Sequence, residues 1–123
     1  MATEKNLMDA IAKIEADVSG FIAASFVDLE SGMTLAAKSN RSDFDLSVAS
    51  AYNSEMVKQK YKIMAALGLD QDLEDMLLTL SDHIHLIRLI SPTTFLYLAA
   101  DRKASNLAIV RNAVQAHVRE LGA

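Results

Sequence analysis

Between Asp43 and Leu67 the chain carries a helical pattern with more apolar surface than one packing partner can cover, and this surplus narrows the choice of fold more than any other feature. At about 100° per residue, Val48, Ala49, Tyr52, Met56, Ile63 and Leu67 share one face, and Leu46, Val57, Tyr61 and Met64 widen it past a half-circle. Ser47, Ser54, Glu55, Lys58 and Lys62 form the polar strip. A surface helix on a sheet needs an apolar stripe only somewhat wider than about 100°, so the excess implies a second covering surface from another chain. Two assignments are open. Tyr52, Met56 and Ile63 cover the chain's own sheet while Val57, Tyr61 and Met64 await a partner, or the reverse.

The rest of the chain supplies that sheet. Leu7, Ala10, Ile11, Ile14 and Val18 recur with helical spacing behind Thr3, a natural N-cap. Gly20 breaks this helix. Residues 21–27 are apolar on both alternating faces, as in a central strand, whereas 33–38 alternate as a half-exposed outer strand, with a turn of Asp28, Leu29, Glu30, Ser31 and Gly32 between them. Ser42 or Asp43 is the expected cap of the long helix, and Gly68 its end.

Residues 73–80, 83–90 and 94–100 read as three strands joined by tight turns at Ser81–Asp82 and Ser91–Pro92–Thr93. Leu73, Leu77 and Leu80 also fit a helical period, but the strand-rich context decides for a meander. Leu107, Val110, Val114, Val118 and Leu121 mark a closing helix, with Ser105 the expected cap. The expectation is one α+β domain over residues 1–123, with a five-stranded antiparallel sheet in the order 2-1-5-4-3. Strand 73–80 is then an edge rich in leucine and lacking the Pro or Lys that guards edges, which invites pairing with a second copy.

Composition excludes several functions. The net charge of −4 with scattered lysines and arginines disfavours nucleic acid, and the absence of cysteine removes disulfide and thiolate chemistry. No stretch approaches the ~20 apolar residues of a membrane span and the first residues lack a signal peptide's apolar run, so the expected location is cytoplasmic. His83 and His85 sit two apart on one strand, as a metal pair would, but without a third ligand they read as histidines on a partly wet face. His117 lies at the margin of the closing helix's stripe and reads as a boundary histidine. Ser25, Asp28 and His83 lack the G-x-S-x-G context of a hydrolase, and no P-loop is present. Arg41, Arg88 and Arg102 read as solvated arginines rather than a catalytic finger. No catalytic residue, cofactor or metal is expected.

The order of elements, with Gly20-Phe21-Ile22-Ala23-Ala24-Ser25 leading to the Asp28–Gly32 turn, resembles the roadblock/dynein light-chain family. Leu73-Glu74-Asp75-Met76-Leu77, the strand His83–Ile90 and the run Leu98-Ala99-Ala100-Asp101-Arg102-Lys103-Ala104-Ser105-Asn106-Leu107-Ala108 are similar to its last three strands and closing helix entry. The size fits the bacterial MglB-like branch. The resemblance implies a roadblock, profilin-like fold, with the long helix on one sheet face and the terminal helices on the other. It also implies a homodimer built through the long helix and the following strand, acting without enzymatic activity as a scaffold or regulator of a small Ras-like GTPase, as GTPase-activating proteins of this family do. The alternative is a nucleotide-independent adaptor that recruits a larger complex. The expected dimer or partner interface comprises Tyr52, Met56, Val57, Lys60, Tyr61, Met64, Leu73, Met76, Leu78 and Leu80. Within it, Lys60 is expected to snorkel, and Met56, Met64 and Met76 to supply adaptable packing.

Overall fold

The computed structural model describes residues 3–121. Helix α1 (Glu4–Asp17) starts at Thr3, whose hydroxyl accepts from the Asn6 amide, and buries Leu7, Ala10, Ile11 and Ile14. Strand β1 (Phe21–Asp28) begins after Gly20, held at φ +80°, where an added Cβ would stand 2.7 Å from the Ala104 methyl. No other residue type fits that conformation and that space together. Strand β2 (Thr34–Ser39) returns antiparallel to β1 with an irregularity at Phe26 and Val27, leaving Met33 outside the strand.

Helix α2 (Leu46–Ala66) is shorter at its start than the pattern suggested. Asp45, not Ser42 or Asp43, is the cap, accepting from the Val48 amide. The preceding residues are engaged elsewhere: Asp43 pairs with Arg41, and Phe44 packs against rings of the sheet. Gly68, at φ +69°, ends the helix, with the Leu69 amide reaching back to the Met64 carbonyl. Strands β3 (Asp75–Thr79), β4 (His83–Ser91) and β5 (Thr94–Asp101) form the meander, and α3 (Leu107–Arg119) closes the chain. Its cap is Asn106, whose side chain accepts from the Ile109 amide; the expected Ser105 has its hydroxyl buried without a partner among the described residues.

The sheet order is β2-β1-β5-β4-β3, all antiparallel, as the apolar patterns of β1 and β5 require. Each face carries its own core. Phe26, Leu96 and Leu98 meet Ile11, Ile14, Val110 and Val114 on the side of α1 and α3. Ile22, Val27, Ile87, Phe95 and Tyr97 meet Val57 on the side of α2. No helix of the described residues is long and apolar enough to cross a membrane.

Candidate docking surface

Helix α2 lies over β1 and β2 rather than over the middle of the sheet. The sequence explains the offset. Ser50 and Ser54 are buried, with the Ser50 hydroxyl 2.8 Å from that of Thr34 and the Ser54 hydroxyl donating to the Ser50 carbonyl. These small side chains let the helix press onto the hairpin, where Gly32 lies close to Ala51 and Ser54. Ser54, assigned to the polar strip from the pattern, therefore belongs to the packed side; small hydroxyls bonded within the helix and to the strand satisfy burial without water.

Because α2 is displaced toward β2, the α2 side of β3 and β4 is only partly covered. Met76, Leu78 and Leu89 lie half-buried there, forming an apolar shelf beside the helix, with the half-buried His83 and His85 at one end of it. The α2 flank overlooking this shelf carries Ala49, Tyr52, Met56, Lys60 and Ile63. Tyr52 is 74% exposed, Val48 51% and Ile63 41%, large values for apolar side chains on one helix. The shelf ends at β3, which among the described residues pairs only with β4 and leaves its outer edge free.

Of the two flanks of α2, the one with Val57 and Tyr61 packs on the chain's own sheet, and Met56 reaches the same core from the other side. Val57 is fully buried in the core of that face and Met64 is buried, so in the single chain neither of these two expected interface residues is exposed. Val57 sits at the centre of the packed arc, and the flank with Tyr52 and Ile63 is the exposed one. Tyr61 is half-buried at the same side, its phenol pushed up by burial and by the charge of Asp72. Tyr52 is exposed, Met56 and Lys60 half-buried; Lys60 makes no ion pair among the described residues. Leu73, Met76 and Leu78 are half-buried and Leu80 exposed. The fold brings Tyr52, Met56 and Lys60 to one flank, with Met76, Leu78 and Leu80 on the same side of the sheet. Val48, Ile63 and Leu67 belong with them; their helical phase was visible, but which arc would be packed was not. Phe44, at the shelf's end, gave no sequence signal.

The groups considered for chemistry are engaged elsewhere. Ser25 is buried in β1, Asp28 accepts from the hydroxyl and amide of Ser31, which lower its pKa, and His83 faces Arg41; they do not converge. His83 and His85 share a face, yet no third His, Cys, Asp or Glu gathers with them among the described residues. Arg41 binds Asp43, Arg88 lies 3.8 Å from Asp75, and Arg102 donates to the Leu80 carbonyl. His117 ties α3 to α1 through Asp17 at 2.6 Å. A cleft of about 360 Å³ at the far end of the shelf is lined by Tyr61, Leu73, Glu74, Arg88, Leu89 and Pro92, with no nucleophile and base paired in it.

No family model and no curated protein matches the sequence. Solved structures do. The chain is similar to Myxococcus xanthus MglB, with a TM-score of 0.88 at 11% identity over 99% of this chain and 89% of that one. It is also similar to the gliding protein MglB of Thermus thermophilus (TM-score 0.82, 14% identity, 99% and 90% covered). A roadblock/LC7 domain from Streptomyces avermitilis matches with a TM-score of 0.78 at 14% identity, covering 89% of each chain. The fold is therefore that of the roadblock/LC7 domains, in the form seen in MglB.

Proposed function

We propose that the chain is a non-enzymatic homodimeric regulator or scaffold of a small Ras-like GTPase. The observation that carries this reading is the apolar shelf beside α2, walled by Tyr52, Met56 and Ile63 and open at the β3 edge. Pairing β3 with its counterpart in a second copy would continue the sheet across both subunits and bring the two shelves together, so that each α2 flank covers apolar surface its own chain leaves bare. The outward residues of the two α2 helices then form the platform on which a GTPase docks. The roadblock/LC7 fold supports this reading because the resemblance noted in the sequence implies the same assembly.

The test has two parts. Light scattering measures the mass in solution, with a dimer expected. Hydrolysis of GTP by a small Ras-like GTPase from the same gene neighbourhood is then followed with and without the protein, beside a pull-down in the GDP and GTP states. Binding in at least one state, with a changed hydrolysis rate or a nucleotide preference, is expected; no binding in either state overturns the proposal. Equal binding to both states without effect on hydrolysis would make the protein a nucleotide-independent adaptor.

A further inference from the structure

At the end of the shelf nearest the start of α2 lies a cluster of titratable side chains that the docking surface does not require. His83 and His85 project from β4 toward the α2 side with ring centroids 5.6 Å apart and planes 29° from parallel. Phe44, in the segment leading into α2, sits 6.3 and 6.2 Å from these two rings and stacks on Tyr97 of β5 at 6.4 Å. The Tyr97 hydroxyl is 3.1 Å from Nδ1 of His85, and Nε2 of His85 is buried with no hydrogen-bond partner among the described residues. Nη1 of Arg41 stands 3.4 Å from Nε2 of His83.

We propose that His85, with His83 beside it, is an acid-sensitive latch, holding Phe44 and with it the first turn of α2 against the sheet, and that protonation of His85 releases both. The cost of a proton here follows from the surroundings. In the charged ring both nitrogens are N–H donors, so Nε2 of His85 is then a buried donor without an acceptor, inside a cluster of packed rings. A charge on His85 faces the His83 imidazole, which itself stands beside the Arg41 guanidinium. Asp43 offsets part of that charge, but its carboxylate is already held by two nitrogens of Arg41 at 3.1 and 2.8 Å. Asp101 lies opposite His83 in the β4–β5 register, and its side chain accepts from the Lys103 amide. On β3 the neighbours on this face are Met76 and Leu78, with Leu80 just beyond the strand, none of which titrates, and Asp45 just before α2 is occupied in capping.

Burial, and after it the charge of His83, push the His85 imidazole below its ordinary value. A histidine whose folded value is depressed contributes stability that is complete above its unfolded pKa of about 6.5 and is lost as the pH falls below it. Val48 and Tyr52 ride on the first two turns of α2, so the latch would govern the order of the exposed flank. Neither the dimer nor a GTPase is needed for it to operate.

The experiment places a reporter in the latch. Phe44→Trp is titrated from about pH 8 to about pH 5 while far-ultraviolet circular dichroism monitors the rest of the fold. Expected is a shift of tryptophan emission to the red with a midpoint below about pH 6.5, in a chain that keeps its sheet signal, and loss of that midpoint in a His83→Gln/His85→Asn background. Unchanged emission across the range, or the same transition in the double variant, overturns the latch. Should tryptophan not be accommodated, proton NMR of the wild-type chain decides. Contacts between the Phe44 ring and the His85 ring weaken at least about twofold as His85 titrates, or persist and refute the proposal.

Discussion

Asp75, at the start of β3, is gripped by Arg111 of α3, whose Nε and Nη2 lie 3.0 and 3.1 Å from its two carboxylate oxygens, with Nη1 of Arg88 at 3.8 Å. The carboxylate joins the closing helix to the free edge strand. Asp75→Ala would leave Arg88 without its anion on a face where its Nε already has no partner among the described residues. We expect a loss of about 1 to 2 kcal/mol in unfolding free energy, measured by urea denaturation, and faster amide exchange along β3 than in β1. A free-energy change near zero would mean the pair is merely solvated.

Val57 and Tyr52 test the orientation of α2 from opposite sides. Val57→Ala empties space in a fully packed core and should cost about 2 kcal/mol. Tyr52→Ala removes a side chain that is mostly in water and should change stability by less than about 0.5 kcal/mol. If Tyr52 serves the partner surface, its loss weakens association by about tenfold or more, that is by at least about 1.4 kcal/mol. Denaturation curves and the concentration dependence of the scattering mass measure the two effects separately.

Leu78→Lys and Met76→Lys place a charge on the shelf next to the free edge. Each is expected to shift the chain to monomer, or to aggregate if the fold loosens, because a lysine there can reach water only when no second copy covers it. An unchanged dimer mass by light scattering would place the seam elsewhere.

The start of α2 is tested by two carboxylates. Asp45→Ala removes the acceptor of the Val48 amide and should cost about 1 kcal/mol, read from denaturation curves. Asp43→Ala, which breaks only an exposed pair with Arg41, should leave the thermal midpoint unchanged.

The sheet order was legible because β1 and β5 are apolar on both faces, which only central strands can be, while the alternation of β2 marks an edge. The boundaries of α2 and α3 were less so. Asp43, Asp45, Ser105 and Asn106 are all chemically competent caps, and what selects among them is tertiary: Phe44 must leave the helix to reach Tyr97, and Ser105 is buried before α3 begins. The proposed docking flank was legible as a surplus of apolar residues but not as a side. Its resolution rests on Ser50 and Ser54, which are polar by name but small enough to pack, so the buried arc centres on Val57 and the exposed arc falls at Tyr52 and Ile63. The His83–His85 cluster needed Phe44 and Tyr97, which are distant in sequence from the pair or from each other.

Those two serines also set a dimension. The distance from α2 to the free edge of the sheet is fixed on the hairpin side, where the Ser50 hydroxyl touches Thr34 and Gly32 sits under the helix. Enlarging either serine would drive the helix across the sheet toward β4, narrowing the shelf without altering any residue on it. The gauge of the shelf is thus held at the opposite side of the helix, by residues that are not part of it.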